Sequence, residues 1–287
     1  MHVLVTGAGG AVGGLVAESL LSEGAQVSAL TRSPDRCSFP DGVRVLGGDL
    51  TVPDSLDGVF DGVDAVFLLV LARDHDAVVE RMRAAGVRRV VVLSSSSVEN
   101  DGDGSEGNFG HMHHRPLEYA VERSGMEWTH VRGGEFMLND LDDFPASVRT
   151  EGVIRAPHGD QPGAPVHERD VADVAVAALL REGHTGRAYE LTGPEAITPA
   201  QRAEVISRAL GRTVSFVHLS LAEARELWIS NGVPPQLCDW LLWGSDPEDE
   251  GAEWDLSQIV SPDYERVMGH PGRDYASWVA DHVDAFR

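Results

Sequence analysis

Short apolar runs alternate with amphipathic segments through the first half of the chain. The run HVLVT at residues 2–6 precedes a segment in which Val12, Val16 and Leu20 share one helical face, and that segment ends at Gly24. A later run, VDAVFLLV, is apolar almost throughout, as is typical of a parallel strand covered on both faces. The pattern predicts six strands, at residues 2–6, 26–30, 43–50, 63–70, 88–97 and 126–132. Helices between the strands predict an α/β fold, a doubly wound parallel sheet of Rossmann type.

Beyond Gly133 the pattern changes. A strong helix, RDVADVAVAALLREG, and a returning strand, AYELTG, complete the sheet at about residues 165–195. We therefore predict a dinucleotide-binding domain at residues 1–132, completed by this later segment. Residues 133–164 and 196–287 are predicted to form a small, mostly helical lobe, in which the acidic stretch SDPEDEGAEWD is a solvated loop.

Two helices of the lobe carry clear start signals. Thr198 is placed to cap a helix that has Pro199 at its first position. Ser220 and Glu223 have the spacing of a capping box, which predicts a second helix start.

Charge and composition narrow the function classes. The formal net charge is −23, which disfavours nucleic acid and anionic lipid as partners. All 23 basic residues are arginine, so no chemistry that requires a lysine side chain is available. The two cysteines, Cys37 and Cys238, are predicted to be free, buried thiols. No apolar run is long enough to span a membrane, and we predict a cytoplasmic protein, either a monomer or a homodimer.

The segment TGAGGAVGG joins the first strand to the first helix. Gly7, Gly10 and Gly13 keep a three-residue spacing, which permits a tight turn and a close approach of backbone N–H groups to a pyrophosphate. Ala11 and Val12 belong to the same turn. We predict that all five residues contact a dinucleotide cofactor, although a glycine-rich turn that binds nothing is the alternative.

The end of the second strand indicates which dinucleotide binds. Arg32 stands where NAD-specific sites usually place an acid, and a guanidinium suits a ribose 2′-phosphate. The predicted cofactor is therefore NADP(H), unless Arg32 is only a solvated side chain. Asp49 and Leu50 are predicted to flank the adenine, and Leu69 and Ser94 to complete the cofactor site.

With these segments in place, the chain resembles the NmrA-like group of atypical short-chain dehydrogenases/reductases. The resemblance begins with VTGAGGAVG, TRSP, GGDL and VVVLSSSS, continues through SGMEWTHVRGGEFMLN, VHERDVADVAVAAL and YELTGPEAIT, and covers nearly the whole chain. It implies a Rossmann domain with a small C-terminal lobe that binds NAD(P)(H). Some members reduce quinone-like, azo or other unsaturated substrates, whereas others sense the redox state of the cofactor without turnover.

The helix at residues 111–124 departs from the pattern of the wider superfamily. Enzymes of that superfamily often carry Tyr-x-x-x-Lys-x-x-x-Glu here, in which Tyr donates a proton and Lys lowers its pKa. Alignment on Glu118 places His114 at the Lys position and Gly110 at the Tyr position. We predict that His114 contacts the cofactor and relays a proton, and that Glu118 on the same helical face either orients it or serves structural contacts.

Two other interpretations of this helix are weaker. His111, His113 and His114 point in different directions on one helix, so a metal site is not predicted. Tyr119 and Arg123 imitate the Tyr-x-x-x-Lys pair, but they lie more than two helical turns past the expected position.

Candidate substrate residues follow two strands. Ser95 and Ser96 end the fifth strand, where ligands bind in such sheets, although serines there also satisfy local backbone groups. Phe136, Met137 and Asn139 follow the sixth strand and are predicted to line a cleft between domain and lobe, with core packing as the alternative.

The sequence thus favours an NADPH-dependent oxidoreductase that acts on a quinone-like or other unsaturated, apolar or aromatic small molecule. His114, Ser95 and Glu118 are its predicted catalytic residues. Two alternatives stay open. One is a non-catalytic NADP(H)-binding sensor, and the other is a redox-neutral cyclase or isomerase on the same fold.

Overall fold

The structure is a computed structural model that describes residues 1–70, 74–98, 109–242 and 259–287, with the side chains of residues 109–112 and 240 left aside. The predicted acidic loop at residues 245–255 lies outside these ranges. The strands are β1 His2–Thr6, β2 Gln26–Thr31, β3 Arg44–Gly47, β4 Ala65–Leu69, β5 Arg89–Ser95, β6 Glu127–Gly133, β7 Val153–Ala156, β8 Arg187–Leu191 and β9 Ser215–His218. The helices are α1 Ala11–Ser22, α2 His75–Ala84, α3 Phe109–Arg123, α4 Asn139–Asp143, α5 Pro145–Glu151, α6 Glu168–Leu180, α7 Pro199–Leu210, α8 Leu221–Ser230, α9 Pro235–Leu241, α10 Asp263–Met268 and α11 Tyr275–Phe286.

Seven of the described strands form one parallel sheet in the order β3-β2-β1-β4-β5-β6-β8. The predicted doubly wound fold is confirmed. The strand order reverses between β1 and β4, and in such sheets ligands bind outside the carboxyl ends of the strands at this point. The loop between β1 and α1, which carries the glycine pattern, lies there.

The central strands of the sheet, among them β1, β4 and β5, are buried because they carry apolar side chains on both faces. Leu4, Val66 and Val90 pack in a core with Leu117 and Val121 of α3. Helices α1 and α6 pack against each other and α6 also contacts β4, β5 and β6. Covering both faces explains why VDAVFLLV shows no alternation.

Two compact units divide the chain. The first consists of Met1–Gly134, Glu168–Leu191 and Pro262–Pro271, and the second of Glu135–His167, Thr192–Ser261 and Gly272–Arg287. The sequence analysis assigned residues 262–271 to the lobe, but they pack with the first unit. The reason is local: Asp263 accepts a hydrogen bond from the backbone N–H of Glu190 on the edge strand β8, and Tyr264 donates to Asp173 of α6.

The second unit is mostly helical, but it contains a short parallel pair, β7 and β9, that the sequence analysis did not predict. Its core is aromatic and aliphatic, with Trp278, Tyr275 and Phe286 fully buried around Met137. Both predicted helix starts are confirmed. The hydroxyl of Thr198 accepts from the backbone N–H of Gln201, and that of Ser220 accepts from Glu223.

Neither cysteine forms a disulfide, Cys37 being half-buried and Cys238 buried. Among the described residues, no helix combines the length and the apolar character that a bilayer crossing requires.

Candidate functional site

A cavity of about 230 Å³ opens at the carboxyl ends of β1, β2 and β3. It lies beside the point where the strand order reverses, which is where a dinucleotide binds in sheets of this kind. Its lining comes from the ends of β1 and β2 and from the loops that follow the three strands: Thr6, Gly7, Gly9, Gly10, Leu30, Thr31, Arg32, Gly48, Asp49, Leu50 and Thr51. The structure therefore brings together the predicted phosphate loop, the predicted phosphate-selecting arginine and the predicted adenine residues.

Two glycines of the pattern, Gly7 and Gly13, are sterically required. Gly7 has a positive φ of 62°, and a Cβ there would lie 1.8 Å from Cδ1 of Leu69. A Cβ at Gly13 would lie 2.2 Å from the carbonyl oxygen of Gly7, which is too close for any side chain. Gly10, the N-cap of α1, provides no capping side chain. The loop is thus a backbone cradle at a helix N-terminus, and this geometry fits a cofactor pyrophosphate.

The opposite side of the cavity carries the residues that are predicted to select the cofactor. Arg32 is exposed at the end of β2, with its side chain accessible to a ligand. The Oδ1 atom of Asp49 accepts hydrogen bonds from the backbone N–H and the hydroxyl of Thr51, both at 2.8 Å. Leu50 is buried beneath them. These contacts fix the loop after β3 in a shape that leaves a cavity against Arg32.

Sequence analysis missed several lining residues, among them Gly9, Thr31 and Thr51. The sequence did carry a signal for Thr51, since the side chain of an aspartate often accepts a hydrogen bond from the backbone two residues further on. The other predicted cofactor residues vary in exposure: Ala11 is exposed, Leu69 half-buried, and Val12 and Ser94 buried.

His114 lies on α3, one turn before Glu118, and is half-buried. Burial lowers the pKa of His114, and the nearby Glu118 carboxylate only partly opposes this effect. The imidazole is therefore mainly neutral at pH 7. Among the described residues, its Nδ1 atom has no hydrogen-bond partner. A neutral imidazole with a free ring nitrogen can hold or pass a proton.

Glu118 has a different environment from the one expected of a proton donor. It is 0% exposed, and Arg132 of β6 donates two hydrogen bonds to its carboxylate, at 3.0 and 2.9 Å. Arg115 donates a third at 2.7 Å. Burial raises the pKa of Glu118, but the hydrogen bonds from Arg132 and the nearby cationic groups outweigh it and lower the pKa to about 2. Glu118 is therefore ionised at neutral pH and ties α3 to the sheet.

The same network reaches two more titratable groups. Glu122 accepts a hydrogen bond from Arg115 and lies 3.2 Å from Nε2 of His130, whose pKa is lowered by burial. Glu118, Glu122 and His130 hold ligand atoms within 4.8 Å of one another. The guanidinium groups of Arg115 and Arg132 already contact the two carboxylates, so the negative charge is balanced without a metal ion.

The rival pair on α3 lies at the surface. Tyr119 is 45% exposed, and the guanidinium of Arg115 covers its ring at 3.7 Å from the centroid. Arg123 is exposed and lies 3.5 Å from Asp76 of α2. The guanidinium of Arg123 therefore faces a neighbouring helix at the surface, and the cation beside Tyr119 is Arg115 instead.

Of the predicted substrate residues, Ser95 and Met137 make local or core contacts, whereas Ser96, Phe136 and Asn139 keep accessible surface. The Oγ atom of Ser95 accepts from the backbone N–H and hydroxyl of Ser97, so it satisfies local groups as the alternative interpretation held, while Ser96 is half-buried. Met137 is 1% exposed in the core of the second unit, which is the packing role left open for it. Phe136 is half-buried and Asn139 exposed, so both retain accessible surface.

Residues 7–182 match a protein-family model described as NAD(P)H-binding. The (4-alkanoyl-5-oxo-2,5-dihydrofuran-3-yl)methyl phosphate reductase of Streptomyces griseus subsp. griseus is 40% identical to this chain, over 99% of both sequences. The NAD(P)H azoreductase of Xenophilus azovorans is 30% identical, again over 99% of both. The crystal structure of an NADPH-dependent quinone oxidoreductase, QOR2, from Escherichia coli superposes with a TM-score of 0.79 at 27% identity, covering 98% of this chain and 99% of that one.

Proposed function

Because the chain belongs to the NAD(P)H-binding family and is an oxidoreductase, we propose that it uses NADPH to reduce a conjugated, electron-poor small molecule. The acceptor class is a quinone or an α,β-unsaturated carbonyl compound. When bound, NADPH supplies a hydride from C4 of its nicotinamide. The residues of the chain bind and orient it.

The observation that carries this proposal is the composition of α3. Gly110 and His114 stand where a carbonyl reductase of the wider superfamily has Tyr and Lys, and the chain contains no lysine at all. Isolated ketone reduction needs a proton donor at the oxygen as the hydride arrives. A conjugated acceptor spreads the incoming negative charge over its own carbonyl groups, so it requires less help from the protein.

The similar proteins support the same class of acceptor. The compound named for the Streptomyces griseus reductase has a ring C=C bond conjugated with both the lactone and the alkanoyl carbonyl. The names of the other two proteins specify azo and quinone acceptors, which are also conjugated. We therefore propose that the hydride reaches the carbon β to the carbonyl groups, or a quinone carbon or oxygen, and that solvent or His114 supplies the proton.

A panel of four acceptors tests the proposal. We expect the purified chain to oxidise NADPH with each of three acceptors. The first is a butenolide with an alkanoyl group on the α carbon and a phosphorylated hydroxymethyl group on the β carbon, the second is the same compound without the phosphate, and the third is a naphthoquinone. A saturated ketone should give no turnover. Reduction of the ketone alone, or no NADPH oxidation with any acceptor, would contradict the proposal. Different affinities for NADPH and NADP⁺ without turnover would indicate the sensor instead.

Replacing Arg32 tests the cofactor choice. The Arg32→Gln substitution is expected to weaken NADPH binding by about 10- to 100-fold and to leave NADH binding unchanged, because a charge-assisted contact to the 2′-phosphate is lost. Isothermal titration with both cofactors measures the two affinities. Arg44→Gln removes another exposed arginine, which does not line the cavity, and should change neither affinity. Equal losses for NADPH and NADH in the Arg32 variant would refute the assignment.

Replacing His114 tests its catalytic role. We expect His114→Gln to lower kcat by about 10- to 100-fold and to change the NADPH dissociation constant less than threefold, since the imidazole acts on the proton rather than the phosphates. The neighbouring, exposed His113 provides the control, and His113→Gln should retain full turnover. Steady-state kinetics with a naphthoquinone give the result. An unchanged kcat in His114→Gln would show that His114 does not deliver the proton and that solvent supplies it.

A further inference from the structure

A single buried guanidinium contacts two carboxylates of one short segment of the second unit. The side chain of Arg202 on α7 is 6% exposed. It donates two hydrogen bonds to Glu135, at 2.7 and 2.9 Å, and one to Asp140, at 3.0 Å. On the other side, the hydroxyl of Tyr275 donates to Asp140. Glu135 and Asp140 are the two ends of a six-residue segment, so Arg202 ties both ends to the same helix.

The segment between these carboxylates is fixed in other ways as well. Backbone hydrogen bonds join Val166 to Glu135 and to Met137, at 2.7 and 3.0 Å. Met137 packs into the hydrophobic core of the unit. With the backbone held and Met137 turned inward, Phe136 and Asn139 keep accessible surface. The segment begins two residues after β6 ends. Its position is set by the buried side chains of Met137, Asp140 and Arg202, together with the partly exposed Glu135.

Packing alone gives little reason for this ionic cluster. Asp140 is 2% exposed, and burial raises its pKa to about 7 despite the neighbouring Arg202. Removing such charges from water costs free energy that apolar side chains of similar volume would not cost. The fit is also tight, since a Cβ at Gly163 would lie 2.7 Å from Oε2 of Glu135. The planar guanidinium of Arg202 donates two parallel hydrogen bonds to Glu135, and this geometry fixes the orientation of the Glu135 side chain relative to α7. Apolar residues of similar volume would not fix that orientation.

We propose that Arg202 is a positioning residue that sets the segment Glu135–Asp140 for the electron acceptor, with Phe136 and Asn139 as the contacting side chains. This inference rests on the proposed reductase function. In this proposal a flat, apolar acceptor binds to the segment Glu135–Asp140, and the hydrogen bonds from Arg202 of α7 hold that segment in shape. The cofactor cavity in the first unit has no lining residue in common with this cluster.

Kinetics with separate cofactor binding test the proposal. Arg202→Met is expected to raise KM for a naphthoquinone at least tenfold, to leave the NADPH dissociation constant within twofold, and to speed amide hydrogen exchange in residues 135–140. Arg202→Lys keeps the charge but not the fork, so its KM should stay raised about fivefold. Arg155→Met, which breaks an ion pair with Glu151 in the same unit, should change none of these quantities.

Each outcome separates this inference from the proposed function. If Arg202→Met does not fold, Glu135→Gln removes only the more exposed partner and should still raise KM at least threefold. An unchanged KM with normal exchange, or equal losses of NADPH and acceptor affinity, would overturn the positioning role while leaving the reductase intact. No turnover in the unsubstituted chain would overturn both, and the NADPH titration would then show whether cofactor binding survives.

Discussion

Replacement of Gly13 by alanine is expected to weaken NADPH binding by about 100-fold or more, since the loss of two backbone hydrogen bonds to a charged pyrophosphate, each worth roughly 1.5 to 3 kcal/mol, costs about two orders of magnitude in affinity or more. The added Cβ would lie 2.2 Å from the carbonyl oxygen of Gly7 and 2.7 Å from its carbonyl carbon. Both are backbone atoms, so neither can rotate away. The loop must move as a unit, and its N–H groups then no longer converge on the pyrophosphate.

The adjacent glycine supplies the control. A Cβ at Gly14 would lie 3.3 Å from the carbonyl oxygen of Ala8, a contact that a shift of a few tenths of an ångström relieves. Gly14→Ala should therefore bind NADPH within about threefold of the unsubstituted chain, and alanine also favours the helix. Isothermal titration of both variants, with thermal unfolding measured in parallel, gives the comparison. Equal NADPH affinity in Gly13→Ala and Gly14→Ala would show that the loop does not hold the pyrophosphate.

Replacement of Arg132 by methionine is expected to lower the free energy of unfolding by about 3 to 5 kcal/mol, the usual cost of leaving a buried charge without its partner. Arg132 donates two hydrogen bonds to the fully buried Glu118 carboxylate. Arg115 remains as a partner but makes a single contact at 2.7 Å. The substitution therefore removes the bidentate contact and leaves a charged oxygen incompletely solvated.

A double substitution shows whether the cost arises from the unpaired carboxylate. Arg132→Met combined with Glu118→Leu should be more stable than Arg132→Met alone, because no carboxylate is left buried. Arg123→Met, on the exposed side of the same helix, should change stability by less than about 0.5 kcal/mol. Urea unfolding followed by circular dichroism measures all three variants. A loss below about 1 kcal/mol in Arg132→Met would mean that the pair does not hold α3 to the sheet.

The sheet and the cofactor loop could be predicted because local sequence specifies them. The apolar run at residues 63–70 and the glycine at residue 7 need no distant partner to be interpreted. The same holds for Thr198, whose capping role depends on residues within one turn. The resemblance to the NmrA-like group is confirmed, and several of its motifs, such as VTGAGGAVG and VVVLSSSS, lie in strands and turns that local sequence specifies.

The remaining features depend on contacts between residues far apart in the chain. Glu118 and Arg132 are 14 residues apart, and nothing in the helical pattern indicates that the carboxylate turns toward β6. Arg202 and Glu135 are 67 residues apart. Strands β7 and β9 are only four residues each, too short for alternation to separate them from loops. The role of Met137 could not be predicted either, because an apolar side chain that follows a strand can line a ligand site or pack in a core.

The central claim, that the chain passes a hydride from NADPH to a conjugated acceptor, is tested most directly by isotope transfer. NADPH that carries deuterium at both positions of the nicotinamide C4 is incubated with the chain and a butenolide that bears an alkanoyl group on the carbon α to the lactone carbonyl, and the product is analysed by mass spectrometry and NMR. The account predicts one deuterium on the carbon β to both carbonyl groups for each NADPH oxidised. A rearranged product without deuterium, or recovery of the butenolide beside unoxidised NADPH, would contradict it.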